Sequence, residues 1–200
     1  WFEGRGPLCV LMGYVDDATG TVYARFYEYE GTLTAMDGFK RYIKLYGLPQ
    51  SAYLDRHSTY KSMAKQSIEE ELNDMRPMSH FEKSLAELGV EVIHAYSPQA
   101  KGRVERLFGT FQDRVVKEMR LAGVTNITEG NAFLDGYLPE YNRKYAKEAA
   151  QKADFHRPVV DKRALDTILS IKTDRALRND FTIAHNKKLY QIKSNIRAKK

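Results

Sequence analysis

The sequence predicts a mixed α/β fold in which helices cover the faces of a sheet. Three observations predict it: a hairpin pattern of two apolar strands opens the chain, two further short apolar strands follow, and amphipathic helical patterns lie between and after them. Strands that alternate with helices along a chain are typical of this class. The predicted order is β β α β α β α α, and residues 181–192 add a small β hairpin near the C-terminus.

The first two strands are predicted by their composition and by the turn between them. Residues 8–15 form an apolar run, and residues 21–28 are rich in β-branched and aromatic side chains. Asp16 and Gly20 bound the connecting segment, where aspartate initiates turns and glycine tolerates a positive φ. The pattern therefore predicts an antiparallel hairpin.

The third strand follows a predicted helix. Thr32 is the predicted cap of this helix, and Gly47 and Pro49 end it. Its apolar residues recur at steps of three and four, at Leu33, Met36, Phe39, Ile43 and Tyr46. Residues 52–54 then form a short apolar segment that ends at Asp55, and this segment is predicted to be a buried strand.

Helices and strands alternate again in the next part of the chain. Residues 61–88 are predicted to be helical and acidic, with a break near Pro77, and residues 90–95 form the next strand. A long helix is predicted over residues 98–121, and a further helix, capped by Thr128, over residues 128–142. The predicted buried stripe of the long helix comprises Val104, Leu107, Phe108, Phe111, Val115 and Met119.

Composition excludes several classes of protein. The single cysteine, Cys9, cannot form an internal disulfide or a multi-cysteine zinc site, which argues against a disulfide-rich secreted domain. No apolar run reaches the roughly 18 residues that a membrane span needs, and no signal peptide pattern opens the chain. We therefore expect a soluble protein of the cytoplasm.

The net charge of +6 is unevenly distributed. Residues 1–142 carry a net charge of −4, whereas residues 143–200 carry +10. Such an asymmetry favours a polyanionic partner for the C-terminal part, most often a nucleic acid. We predict a core over residues 1–145, a basic linker over 146–170 and the start of a small β domain over 171–200.

Two carboxylates lie where chemistry is expected in such a fold. Asp55 directly follows a short strand, and ligands of open α/β sheets gather at the carboxyl ends of strands. Glu105 flanks the buried stripe of the long helix, near the start of that helix. Each has a simpler interpretation, because Asp55 is also suited to begin a turn and Glu105 to pair with Lys101 four residues earlier.

The start of the long helix is unusual. Gly102 occupies a position where a strong helix former would be more stable by about 1 kcal/mol. A glycine there permits a close approach, for example by a phosphate backbone, although it is equally compatible with an incidental helix-start residue. Four donor side chains surround it: Gln99, Lys101, Arg103 and Arg106.

Taken together, these segments resemble the catalytic core of the retroviral-integrase-like DDE transposases, of the bacterial insertion-sequence type. The most specific segment, SPQAKGRVER at residues 97–106, is similar to the helix that bears the last glutamate of that family. MGYVDDATG at residues 12–20 resembles the family's second strand and turn, and residues 141–158 resemble the segment that closes the core. Residues 177–192 resemble the small β-barrel that follows.

The resemblance implies an RNase H-like mixed sheet with flanking helices, followed by a partial small β-barrel. It implies that Asp55 and Glu105 are the second and third members of an Asp-Asp-Glu triad that holds two Mg²⁺ or Mn²⁺ ions. The implied activity is DNA strand cleavage and strand transfer of an insertion element. The implied partners are element ends, target DNA and further copies of the chain, in the bacterial cytoplasm.

The sequence departs from the family pattern at three points. The leading aspartate is expected on a strand before Trp1, which would leave this chain with two carboxylates and weak activity; Asp16 and Asp17 match the family's turn instead. The 49 residues between Asp55 and Glu105 exceed the spacing in integrases.

Arg56 follows Asp55 directly, where many relatives have Asn-Gly, which is the third departure. Arg56 and His57 are equally compatible with a DNA contact and with a surface turn. Lys187 and Lys188, in the predicted C-terminal hairpin, are further candidates for DNA binding. Two other functions stay open: a catalytically dead or truncated DNA-binding and assembly module of the same fold, and an RNase H-like nuclease without strand transfer.

Overall fold

The computed structural model describes residues 1–54, 78–94, 98–151, 154–158 and 161–193. The strands of these ranges are β1 Val10–Val15, β2 Val22–Tyr27, β3 Ser51–Leu54, β4 Glu91–His94, β5 Thr182–His185 and β6 Lys188–Gln191. The helices are α1 Thr32–Tyr46, α2 His80–Glu87, α3 Pro98–Leu121, α4 Ile127–Tyr145 and α5 Lys162–Ile168. The predicted mixed α/β class is confirmed. Most of the predicted acidic helical stretch, residues 61–77, lies outside the described residues.

Strands β1 and β2 form the predicted antiparallel hairpin, in a register that runs from Val10 opposite Tyr27 to Val15 opposite Val22. Both faces of this hairpin are buried. Residues of one face join a core cluster with α1, and residues of the other face join a second cluster with α3 and α4. The alternation is visible along β2, where Tyr23 belongs to the first cluster and Val22 to the second.

The free edge of β2 is closed by two asparagine side chains of α4. The Asn131 amide accepts a hydrogen bond from the Phe26 N–H (2.8 Å) and donates one to the Phe26 carbonyl (3.1 Å). Asn142, three helical turns further on, makes the same pair of bonds with Val22 (2.9 and 2.8 Å). These amides stand in for a neighbouring strand and satisfy backbone groups that an edge strand leaves open.

Strands β3 and β4 pair in parallel, with Ser51 opposite Glu91 and Leu54 opposite His94. The first core cluster joins this pair to the hairpin through α1. Leu54 lies in the cluster with Met12 of β1 and Phe39 of α1. Because the strands are parallel, both end at the same edge of the pair, and the chain leaves that edge after Leu54 and after His94.

Two helix starts differ from the sequence prediction. Thr32 is the first residue of α1 and not its cap; the hydroxyl of Thr34 instead accepts the Gly31 N–H, at 2.9 Å. Helix α4 begins at Ile127 because Asn126 accepts the Glu129 N–H, and it continues past Asn142 to Tyr145. Asparagine is a stronger N-cap residue than threonine, so the predicted cap at Thr128 is wrong and the preference for asparagine agrees with the observed start.

Much of the segment predicted as a linker packs onto the preceding residues. Leu165 of α5 and Leu169 are buried in the first core cluster. Leu48 and Arg157 exchange two backbone hydrogen bonds, both of 2.8 Å. The alternation of charged residues and prolines in this segment hides these few apolar anchors, so composition favours a linker where the chain forms part of a folded unit.

The chain divides into two compact units, residues 1–170 and 171–200. The described part of the second unit contains the predicted hairpin of β5 and β6, in which Thr182 lies opposite Gln191. Asn186 and Lys187 form its turn with positive φ values of 47° and 61°, as two-residue hairpin turns of this hand require. Within the described ranges, every helix is too short or too polar to span a lipid bilayer.

Candidate active site

The carboxyl edge of β3 and β4 is the place where the sequence predicts chemistry. Leu54 and His94 end the two strands opposite each other. Asp55 follows Leu54 in the chain, but Asp55, Arg56 and His57 lie outside the described residues. The structure therefore describes the strand ends that precede these predicted site residues, Leu54 and His94, but not the site residues themselves. The roles of Asp55, Arg56 and His57 stay predictions.

Helix α3 carries Glu105 two turns after its first residue, Pro98. Glu105 and Arg106 are exposed, whereas Leu107 is buried. Phe108 lies over Gly13 of β1, where an added Cβ would come within 3.3 Å of the Phe108 ring. The helix is thus anchored on the hairpin just beyond Glu105, and the carboxylate is left open to solvent.

The first turns of α3 are only partly described, because the side chains of Gln99, Lys101 and Arg103 lie outside the description. The Lys101–Glu105 pair is therefore untested. A Cβ added at Gly102 would meet no atom within 4 Å, so packing among the described residues does not require a glycine there. Val104 is exposed, contrary to its predicted place in the buried stripe, because contact with the hairpin begins only at Leu107.

Asp16 has the role of a turn residue. Its carboxylate accepts hydrogen bonds from the backbone N–H and the hydroxyl of Thr19, and the Gly20 N–H donates to its carbonyl (2.8 Å). This ring of bonds shapes the loop between β1 and β2. The interpretation of Asp16 as a turn residue is confirmed. Its carboxylate is engaged by hydrogen bonds from Thr19, within the same loop.

A buried carboxylate that no sequence pattern singled out lies behind the strand edge. Glu82 of α2 is fully buried, and its Oε1 lies 2.8 Å from Nε2 of His94. Its Oε2 accepts the Ser79 N–H (2.7 Å), while the Ser79 hydroxyl accepts the Glu82 N–H (3.2 Å). This is a capping box, so the Ser-x-x-Glu spacing was a signal for the helix start, although it did not reveal the contact with His94.

The opposite end of β3 and β4 carries an open cavity of about 570 Å³, lined in part by Gly47, Arg157 and Pro158. Beside it, Nε2 of His156 lies 3.0 Å from the Tyr42 hydroxyl and Nδ1 lies 2.8 Å from the Asp154 carboxylate. Hydrogen bonds from His156 hold the pKa of Asp154 below its usual range. Burial raises the pKa of Tyr42. This cavity contains neither of the strand ends that lead into the predicted site.

The described residues contain no group of three or more His, Cys, Asp or Glu side chains placed to hold a metal ion. One of the two predicted ligands, Asp55, lies outside them, so the predicted metal site is not tested. The other predicted ligand, Glu105, is described, and its exposed carboxylate oxygens are the ligand type that Mg²⁺ prefers. In the second unit, the candidate DNA-binding residues Lys187 and Lys188 are exposed at the hairpin turn.

Comparison with known proteins found relatives that match most of the length of the chain. It is 39% identical, over 160 residues that make up 80% of the chain, to the inferred transposase y4bF of Sinorhizobium fredii strain NGR234. It is 27% identical over 135 residues to the transposase for insertion sequence IS1202 of Streptococcus pneumoniae. The chain is a relative of bacterial transposases. This confirms the resemblance to integrase-core DDE transposases that the α3 motif indicates.

The matches to these transposases cover 34% and 28% of their own lengths, so the chain spans about a third of each. No protein-family model matches the chain. One similar solved structure is an intasome of simian T-cell lymphotropic virus in complex with a regulatory subunit of PP2A. The alignment covers 64% of the present chain and 41% of the matched chain of that structure, at 20% identity and a TM-score of 0.45.

Proposed function

We propose that the chain is the catalytic core and part of the C-terminal domain of a DDE transposase, which cleaves DNA at the ends of an insertion element and joins the 3′ ends to target DNA. The observation that carries this proposal is the 39% identity to a transposase over 80% of the chain. The glutamate-bearing helix α3 adds to it, because it presents Glu105 to solvent while Leu107 and Phe111 are buried with residues of the hairpin.

The proposed fold is RNase H-like. The hairpin β1–β2 and the parallel pair β3–β4 both pack on α1, which supports their membership of one sheet layer. A further strand that bears the first aspartate would complete the sheet, and we propose that it precedes Trp1. The relatives leave room for such a strand, because they are about three to four times as long as the parts that match.

Asp55 and Glu105 are the proposed ligands of two Mg²⁺ or Mn²⁺ ions. Such ions, when bound, activate the attacking oxygen and stabilise the leaving oxygen of an in-line phosphoryl displacement. The chain's own contribution is positional: Asp55 follows the end of β3 in the sequence, and α3, anchored on the hairpin by Leu107 and Phe108, carries Glu105 two residues before Leu107. Two carboxyl groups more than about 10 Å apart in a metal-bound complex would contradict this assignment, given the spacing of two-metal sites.

DNA is the proposed partner of the basic residues. Arg106 on α3, Lys187 in the hairpin turn and Lys188 at the start of β6 are exposed and available to phosphates. Arg56, His57, Gln99, Lys101 and Arg103 are proposed contacts on sequence grounds alone. Phosphate contacts of this kind bind without regard to sequence and weaken with salt. Synapsis of two element ends would need further copies of the chain.

The experiment that tests the proposal incubates the intact protein with labelled element ends, a target plasmid and Mn²⁺. We expect nicked ends and joined products, both abolished by chelation of the metal. Cleavage without joined products would favour an RNase H-like nuclease. DNA binding with neither product would favour a non-catalytic assembly module.

A further inference from the structure

A buried carboxylate that the proposed chemistry does not use lies behind the carboxyl edge of β3 and β4. Glu82 is fully buried, and the side chain of His94, which its Oε1 contacts at 2.8 Å, is only 10% exposed. The second oxygen of Glu82 accepts the Ser79 N–H at 2.7 Å. Both carboxylate oxygens are therefore engaged, one by the start of α2 and one by the end of β4.

Capping of the helix does not explain why this glutamate is buried. Helix α4 has a glutamate in the same first-turn role, Glu129, which accepts the Thr125 N–H at 2.8 Å and is exposed. An exposed glutamate thus serves a helix start in this protein without the desolvation that burial of a carboxylate imposes. Unlike the described contacts of Glu129, those of Glu82 include a histidine at the end of a strand, His94.

The position of His94 gives that contact a consequence. It is the last residue of β4 and lies opposite Leu54, the last residue of β3, which Asp55 follows. The chain enters α3, which carries Glu105, at Pro98, four residues after His94. Each strand has only four residues, so few backbone hydrogen bonds between β3 and β4 hold the points where the chain leaves them. The contact between Glu82 and His94 links the end of β4 to α2.

We propose that Glu82, acting through His94, is a positioning residue that fixes the carboxyl edge of β3 and β4 and thereby the distance between the Asp55 and Glu105 carboxylates. This inference rests on the proposed function. In metal sites, hydrogen bonds outside the ligand shell hold the ligands in place, and the loss of one partner lowers metal affinity by about tenfold or more. The inference gives the Glu82–His94 pair a comparable role.

The test measures Mn²⁺ binding to the intact protein without DNA, by titration calorimetry and by the electron paramagnetic resonance spectrum of the bound ion. His94→Leu removes the nitrogen that faces Glu82, and we expect about tenfold weaker Mn²⁺ binding and a broadened spectrum. His94→Gln places an amide nitrogen close to the position of Nε2, and we expect affinity within about threefold of the parent. If His94→Leu does not fold, His94→Asn replaces it, because its shorter amide does not reach Glu82.

Ser79→Ala is the matched control, since it removes the hydroxyl that caps α2 and leaves the Glu82–His94 contact in place. We expect it to lower the melting temperature while Mn²⁺ affinity stays within about threefold of the parent. Unchanged Mn²⁺ binding in His94→Leu, or equal weakening in Ser79→Ala, would overturn the positioning role.

Glu105→Gln separates this inference from the proposed function. If that substitution abolishes Mn²⁺ binding and His94→Leu does not weaken it, the metal site stands and the positioning role fails. If Glu105→Gln leaves Mn²⁺ binding unchanged, the proposed metal site fails, and the positioning role fails with it.

Discussion

The two strand pairs of the first unit are enclosed to different degrees. The hairpin β1–β2 is covered by α1 on one face and by α3 and α4 on the other, and asparagine side chains close its outer edge. The parallel pair β3–β4 exposes 57% of Tyr53, and its carboxyl edge leads into the segments that carry the proposed ligands. The enclosed pair thus anchors α3, whereas the open pair leads into the proposed site.

This difference predicts that substitutions in the two regions fail in different ways. Changes around the hairpin should lower stability and leave the chemistry of the remaining folded molecules intact. A change at Glu105 should remove activity and leave stability intact, because this side chain is exposed and exposed side chains contribute little to folding. The activity and the stability of each variant therefore have to be measured separately.

The largest effect is expected for Glu105→Gln. The amide keeps the size of the side chain but is a much poorer ligand for Mg²⁺ or Mn²⁺, so strand cleavage should fall about a thousandfold, equivalent to roughly 4 kcal/mol of transition-state stabilisation. Because Glu105 is exposed, the midpoint of urea unfolding should not change. Cleavage of labelled DNA ends and urea titrations measure the two effects.

Glu118→Gln is the control for this prediction, since Glu118 is an exposed glutamate further along the same helix. Its cleavage rate and its unfolding midpoint should match those of the parent. Equal cleavage rates in Glu105→Gln and Glu118→Gln would show that the motif in α3 has no catalytic role.

Asn131→Ala should cause the largest loss of stability. It leaves the N–H and the carbonyl of the buried Phe26 without the partners that the amide supplies, at a cost of about 2 kcal/mol in the free energy of unfolding. Asn142→Ala removes the same type of bonds from Val22, but Asn142 is only half-buried, and about 1 kcal/mol is expected. Urea unfolding ranks the two, and a larger cost for Asn142 would contradict the proposed closing of the β2 edge at Phe26.

Arg157→Ala tests the end of the open pair that lies away from the proposed site. The Arg157 guanidinium donates to the carbonyls of Leu88 and Gly89, at 3.0 and 2.8 Å. Because Arg157 is exposed, about 1 kcal/mol of stability should be lost, and the cleavage rate should not change. Arg143→Ala, which removes only a surface pair with Glu140, should cost less stability than Arg157→Ala; equal costs would show that the Arg157 bonds contribute no more than a surface pair.

The sequence predicted the elements whose patterns are local and missed the contacts between distant segments. The turn chemistry of Asp16 and Gly20 predicted the hairpin, and the spacing of apolar residues predicted the buried part of α3 from Leu107 onward. The contact between Glu82 and His94 joins residues whose spacing follows no helical or strand period, so no pattern indicates it. The anchoring of residues 146–170 was missed because two leucines among many charged residues carry it.

The smallest expected effect is a change in stability at low pH that depends on Asp154, next to His156. Hydrogen bonds from the backbone N–H and the ring of His156 lower the pKa of Asp154 below its ordinary value of about 3.8. A carboxyl group whose pKa is lower in the folded state stabilises that state above its ordinary pKa, and this contribution is lost as the pH falls through the lowered value. Asp154→Asn should therefore be slightly less stable than the parent at pH 5, and the difference should shrink towards pH 2. Thermal melts of both proteins across this range measure it, with the exposed Asp135→Asn as control. A difference that stays constant with pH would show that these bonds do not depend on the charge of Asp154.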